Sequence, residues 1–450
     1  MRFYYLDPGL TGNGGHHANS CREIVRAAQD CGLDVAILAH KSVEVAIQEE
    51  LAAQPFFDWY TYQKIRKSRV RSIFDRRTYQ TGASLYGPLA PFTSRTYGLG
   101  KWLKSFHAAV ESTYLDLKKA GFQSGDIIYV NSAQSVQFAA ILRYMRDLPE
   151  PQRPQVFLEF GVHFGAARSS GRIGTPVHLT HPSVNPSGTF YLIALAYWPE
   201  DLGPLPVVCA TFDPVASDAY SVLLKKPVAV LPLPRLALTD FPSREGKSII
   251  TIGVMGSQRS DKGYSLVPEV VRRILGQNQG VEFLLHSSFP DAMPEEQQEL
   301  RAMAASDQRI RIEEGPADQS AWKRLLESTD LMLCPYDPNR YRMSYSAVAA
   351  EAIAEGIPYI APADTSLSVL AEQEAGACVT FSGWNAKAVA EATQRALVDF
   401  QLLSRKAHDA AIRWQSHHGA QVLVAKMIEI AQSKSADHSS QADHLSEIST

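Results

Sequence analysis

Six short apolar runs in the second half of the chain, alternating with stretches of helical spacing, restrict the fold more than any other feature. They lie at 249–254, 282–286, 309–312, 331–334, 357–360 and 378–381, with helical spacing between them at, for example, 264–275 and 321–327. Strands separated by helix-length segments pair in parallel, because each crossover returns the chain to the same edge of the sheet. A parallel sheet then needs helices on both faces. This half therefore reads as a doubly wound α/β domain. The first half opens the same way: a strand at 3–6, a Gly-rich loop, a helix at 17–31, a cap at Gly32 and a strand at 35–38. Further strands are predicted at 127–130, 156–160 and 207–210, with helical spacing at 133–145. Residues 51–97 are aromatic, basic and irregular, and read as an insertion or helical pair outside the sheet.

A chain of 450 residues suits two such domains. The segment 226–234 gives a short strand with a proline-rich exit, and the polar residues 240–247 follow it as the best linker. Lys+Arg 44 against Asp+Glu 47 leaves a net charge of -3, with no electrostatic footprint for nucleic acid. Five scattered cysteines without a CxxC pair read as thiols of a reducing compartment. The N-terminus lacks a signal-peptide pattern and the longest apolar stretch, near 190–198, is half a membrane span. The protein is expected in the cytoplasm.

Two clusters carry chemistry. The first, Gly253-Val-Met-Gly256-Ser-Gln-Arg259-Ser-Asp261-Lys262-Gly263, follows the strand at 249–254. Glycines there let backbone approach a ligand, and Arg259 and Lys262 supply fixed positive charge for phosphates. The second, Tyr345-Ser346-Ala-Val-Ala-Ala-Glu351-Ala-Ile-Ala-Glu355-Gly356-Ile-Pro358, reads as a helix ended by Gly and Pro. Its start near Ser346 turns an amide-rich, partly positive end toward the same ligand, and Glu351 offers a carboxylate to a ribose diol. Diphosphate at one end and diol at the other describe a nucleotide.

With this spacing, residues 249–431 resemble the donor-binding half of retaining GT-B glycosyltransferases of the group 1, or family 4-like, type. The resemblance implies two Rossmann-like domains facing across a cleft, with a final helix crossing back onto the first. The boundaries it suggests are 1–235 for the acceptor-side domain, 236–247 for the linker and 248–412 for the nucleotide-sugar domain. The crossing helix is placed at 413–432, and the polar residues 433–450 read as a disordered tail. Arg259, Lys262 and the Gly256 turn match the diphosphate contacts, Glu351 matches the ribose contact, and Tyr345 and Ser346 fall where Phe and Gly are usual. The family's first Glu is replaced by Met343. Gly14 and Gly15 match a loop that closes on the donor, and His163, just past a strand, matches a contact to the donor sugar.

The implied activity is metal-independent transfer of a sugar, of hexosyl type, from a nucleoside diphosphate-sugar to a hydroxyl, with retention, in glycan or polysaccharide biosynthesis. The acceptor is expected to be a glycan, a lipid-linked molecule or a small molecule, and no cofactor is expected. No HExxH, Cys/His quartet or Asp-x-Asp occurs in the chain, so no metal site is predicted. The run from Lys64 to Arg77 holds seven basic residues beside Trp59, Tyr60 and Tyr62, and reads as a solvated helix face, or as a docking patch for an anionic membrane or for an acidic acceptor. Met343 keeps one alternative open, a GT-B-like nucleotide-binding protein without transferase activity; a further alternative is a nucleotide-sugar epimerase, which lacks an acceptor.

Overall fold

The computed structural model describes residues 1–12, 16–63, 92–161, 167–179, 187–198, 205–235, 237, 240 and 244–447. Two parallel sheets organise it. The first contains β1 (Arg2–Asp7), β2 (Asp34–His40), β3 (Ala53–Phe57), β4 (Ile127–Val130) and β5 (Gln155–Glu159). After a short antiparallel hairpin of β6 (Ala167–Arg168) and β7 (His178–Leu179), it is completed by β8 (Val207–Thr211) and β9 (Ala229–Val230). Its order is β3-β2-β1-β4-β5-β8-β9. The second contains β10 (Ile250–Val254), β11 (Val281–Ser287), β12 (Ile310–Glu314), β13 (Leu331–Leu333), β14 (Tyr359–Pro362) and β15 (Cys378–Phe381), in the order β12-β11-β10-β13-β14-β15.

Both orders reverse direction once, between β1 and β4 and between β10 and β13. A crevice opens outside the carboxyl ends of the strands at each reversal, where α/β sheets bind ligands. Helices cover both faces of each sheet, as the near-continuous burial of β1, β4, β5 and β13 requires. Several helix starts are fixed by side chains that accept orphan amides: Asp213 from Val215 and Ala216, Asp318 from Ala321, Asn385 from Ala388 and Ser346 from Ala349.

The domains meet on two sides. On one, Trp414 is fully buried and its Nε1 donates to the Arg235 carbonyl at 2.6 Å. The chain then turns at Gly419, whose φ is 107°, and the helix Ala420–Glu447 lays Leu423, Val424 and Met427 into one apolar cluster with Ala18, Cys21 and Ile24 of the helix His16–Asp30. On the other side the β6–β7 hairpin lands on the loop after β14. A Cβ on Gly171 would stand 1.8 Å from the Asp364 carbonyl oxygen, so only glycine fits. Arg172 pairs with Asp364 at 2.6 Å, and Arg342 donates to the Ser169 carbonyl at 3.2 Å.

Some expectations need correction. Residues 53–57 belong to the first sheet rather than to an insertion; β3 is an edge strand, which tolerates Pro55. The last helix begins at Ala420, not 413, because Gly419 separates it from the helix Phe400–His417. Its bounds are Ala420–Glu447. Part of the predicted linker is anchored: Arg244 is 4% exposed and donates to the carbonyls of Thr329 and Glu355, both at 3.0 Å. Gly14, Gly15, His163 and the run from Lys64 to Arg77 lie outside the described residues.

Candidate functional site

The glycine cluster follows β10 and folds against the loop that leaves β13, which places it at the reversal point of the second sheet. Gly263, with φ of 68°, makes the contact: a Cβ there would stand 1.8 Å from the Pro335 carbonyl oxygen. That approach carries Lys262 inward, its Nζ 3.2 Å from where a Cβ on Gly256 would sit and 5.5 Å from the Tyr336 ring centroid. Gly256 itself has φ of 100° and clears the space for the ammonium. Lys262 forms no ion pair among the described residues. Burial, and after it the charge of Arg259, lower its pKa. Arg259 is half exposed and forks onto Asp261 through bonds of 2.9 and 2.7 Å, with a third bond of 3.0 Å to Tyr341 Oη. The two cations predicted from sequence are therefore brought together. One is held by a carboxylate that a phosphate can displace, and the other carries an uncompensated charge.

The helix Ala347–Ala354 starts where the sequence places it, with Ser346 Oγ accepting from Ala349 N at 3.3 Å. Val348 and Lys262 both border Gly256, so the first turn of that helix adjoins the lysine. Glu351 lies one turn further on, partly buried, and accepts a 3.2 Å bond from Trp322 Nε1. Burial pushes its carboxyl up to about 7, against the pull of Arg235. Arg235, 7% exposed, pairs with Glu23 of the first domain at 2.8 Å. Tyr345 reaches the other domain, its ring 6.0 Å from Phe212. Met343 is 5% exposed and shares an apolar cluster with first-domain residues, so the position that holds Glu in the family is here part of the domain contact.

The opposing sheet carries polar groups that the sequence reading missed. Asp7 ends β1, fully buried, and accepts bonds from His17 Nδ1, Asn131 Nδ2 and Gly9 N at 2.8–2.9 Å. His17 Nε2 lies 2.8 Å from Tyr62 Oη. Glu159 ends β5, is 1% exposed and accepts from Ser132 N at 2.8 Å. Ser132 adopts φ of 52°, a left-handed conformation unusual for a residue with a side chain. Burial pushes the Glu159 carboxyl up to about 8, with the Ser132 amide opposing and the Asp7 charge adding. The signal was available: Glu159 is the one charged residue of the run 156–160, and Asp7 and Glu159 both sit at carboxyl ends of parallel strands.

Comparison with solved structures agrees with this geometry. Sucrose-phosphate synthase from Thermosynechococcus elongatus is 15% identical, covers 97% of this chain and 100% of its own, and superposes with a TM-score of 0.58. A glycosyltransferase from Rickettsia africae is 11% identical over 96% of this chain and 98% of its own, with a TM-score of 0.58. Anabaena HepE, solved with UDP and glucose, is 13% identical over 98% of this chain and 100% of its own, with a TM-score of 0.53. No protein-family profile and no curated protein sequence matches the chain. At such identities the likeness establishes the fold: two facing Rossmann-like domains in the GT-B arrangement. Among the described residues, no helix is long and apolar enough to cross a membrane.

Proposed function

We propose that the protein is a glycosyltransferase that moves a sugar from a nucleoside diphosphate-sugar to a hydroxyl acceptor. The observation that carries this reading is the partly buried Lys262 at the reversal point of the second sheet, which forms no ion pair among the described residues and is flanked by Arg259 and the start of the helix Ala347–Ala354. A diphosphate seated there meets two cations and a helix end. Glu351 lies a helical turn away, where a ribose diol can bond it. The solved relative that holds UDP and glucose supports a nucleotide sugar as the ligand class.

In the proposed reaction the bond between the anomeric carbon and the leaving phosphate oxygen breaks as the acceptor oxygen bonds that carbon. Negative charge grows on the departing diphosphate, and Arg259 and Lys262 stabilise it more strongly than in the ground state. The leaving phosphate takes the acceptor proton, which delivers the sugar on the face it left and retains its configuration. His163, Gly14 and Gly15 remain proposed donor contacts on the loops of the first domain. Two fixed cations complement the diphosphate without a divalent ion, so the reaction is proposed to be metal-independent. We further propose a cytoplasmic enzyme of glycan or polysaccharide synthesis, with the run from Lys64 to Arg77 as its membrane contact.

Met343 supports a second reading. A buried methionine in the domain contact offers no carboxylate to a donor sugar, and favours a protein that binds the nucleotide without transferring. Incubation with UDP- and TDP-sugars separates the two: transfer releases nucleoside diphosphate only when an acceptor is present. Release without acceptor, or binding without release, rejects the transferase.

A further inference from the structure

We propose that Arg235 is a positioning residue for nucleotide binding: its single charge is shared between Glu23 of the first domain and Glu351 of the second, so the domain contact sets how firmly Glu351 holds a ribose. The inference rests on the nucleotide reading for its ligand, and on the following geometry for the coupling. Arg235 stands in the segment that leaves β9, where the two crossings between the domains run side by side. Gly419 N donates to the Leu233 carbonyl at 2.8 Å, and Leu233 N donates to His418 Nδ1 at 3.0 Å. Trp414 Nε1 holds the Arg235 carbonyl at 2.6 Å. Trp414 belongs to the helix Phe400–His417, which packs along the helix Ala347–Ala354. The backbone of Arg235 is thus fixed beside the helix that carries Glu351.

The Arg235 side chain has two acids within reach. Its Nη1 donates to Oε1 of Glu23, on the helix His16–Asp30, at 2.8 Å. Glu23 Oε2 is buried and has no partner among the described residues, so one bond rather than a fork joins this pair. Burial pulls the Arg235 pKa down, and the charges of Glu23 and then Glu351 outweigh that pull. Burial raises the carboxyls of Glu23 and Glu351, and in each the Arg235 charge is the leading influence that opposes the rise. Glu23 also acts on Glu351 and raises it further. One cation therefore serves two carboxyls and compensates neither in full. Among the described residues, the other titratable groups that face Glu351 are Lys262 on the glycine loop, Tyr345 at the helix start and Glu355 one turn along. Trp322, which donates to Glu351 Oε2 at 3.2 Å, has the His286 ring against it at 5.5 Å.

A ribose diol donates two hydrogen bonds. An ionised carboxylate accepts both, whereas a protonated one presents a hydroxyl that must itself donate. Arg235 favours the ionised form, and so prepares Glu351 for the diol without touching the nucleotide. Its bond to Glu23 draws on the same charge. Nucleotide on Glu351 and the contact with Glu23 therefore each change the strength of the other.

The test uses Trp322 in the full chain as a reporter. Its indole N–H bonds Glu351, so its nuclear magnetic resonance signal, assigned with Trp322→Phe, follows Glu351 ionisation without any ligand. The step that Glu351→Gln abolishes belongs to Glu351, which distinguishes it from titration of His286. With Glu23→Gln, we expect the midpoint of that step to fall by about one pH unit, and affinity for UDP or TDP to rise about fivefold at pH 6 with little change at pH 8. Arg235→Met should raise the midpoint by about one unit and weaken nucleotide binding about fivefold at pH 7, and Arg235→Lys should return it to within about threefold of the parent. A role in folding alone would lower melting temperatures and leave the midpoint in place. A midpoint that Glu23→Gln does not move overturns the proposal, as does affinity at pH 6 that stays constant while the midpoint moves. If Arg235→Met loses its circular dichroism spectrum, Glu23→Gln decides. If the parent binds neither UDP nor TDP, the nucleotide reading fails, and the ligand-free Trp322 titration separately decides whether Arg235 is shared.

Discussion

Replacing Glu159 by Gln should change how the protein's stability depends on pH. In the folded protein burial holds this carboxyl up to about 8, whereas in the unfolded chain it titrates near the ordinary value of 4.5. The folded state therefore keeps a proton that the unfolded chain releases. The stabilisation this proton gives is complete below the unfolded value and is lost as pH rises from about 4.5 toward 8. Linkage between these two values takes away about 1.4 kcal/mol by pH 5.5 and about 4.3 kcal/mol by pH 8, a difference of about 3 kcal/mol. Glutamine has the neutral shape and never pays that cost. Asp213 and Glu351, also raised by burial, titrate alike in parent and variant and cancel in the comparison. Melting temperatures measured from pH 5.5 to 8 should show the variant gaining on the parent by roughly 6–12 °C at domain-sized slopes of about 2–4 °C per kcal/mol. If the two curves stay parallel across that range, Glu159 is solvated in the folded protein and its carboxyl is not raised.

Lys262→Ala and Arg259→Ala should each lower turnover by roughly 10²-fold with little effect on melting temperature, since both act on charge that grows in the transition state; near-normal activity of the double variant rejects the diphosphate site. Because the Glu351 carboxyl is raised to about 7, affinity for UDP or TDP should rise about tenfold more steeply between pH 6 and 8 in the parent than in Glu351→Gln, as ionisation creates the diol acceptor. Equal slopes would make Glu351 a structural acid only. Gly263→Ala should abolish nucleotide binding and lower the melting temperature, because a Cβ collides with the Pro335 carbonyl and the loop that carries Lys262 must move; a parent-like thermal shift with nucleotide would refute that. Activity should survive excess EDTA, and a loss restored by Mg²⁺ or Mn²⁺ would contradict stabilisation by fixed cations.

The second domain was legible because its signals are local. Alternation fixes a parallel sheet, and Arg259, Lys262, Ser346 and Glu351 lie on the loop and helix that such a sheet places at its reversal point. The first domain hid its chemistry because the groups that meet there are far apart in sequence: Asp7, His17, Tyr62, Asn131 and Glu159 converge only once β1, β4 and β5 are neighbours. Periodicity treats Glu159 as an interruption of an apolar run. The edge strand β3 escaped for a different reason: five residues containing Gln54 and Pro55 carry no alternating pattern, and pairing with β2 supplies what the local sequence lacks. Where the last helix begins depended on one residue, Gly419.

The two sides on which the domains meet differ in kind, and that difference decides how the molecule can move. Around Trp414, Leu423, Val424 and Met427 the contact is apolar and sealed from water, a bond that salt does not weaken. At the β6–β7 hairpin it is an ion pair with both partners open to solvent, one main-chain bond from Arg342 and the bare backbone of Gly171 against Asp364. Such contacts are individually weak, and dissolved ions screen the exposed pair. The molecule is thus a clamshell with a spring on one rim and a catch on the other. The hairpin rim is therefore the side whose polar contacts dissolved salt can loosen.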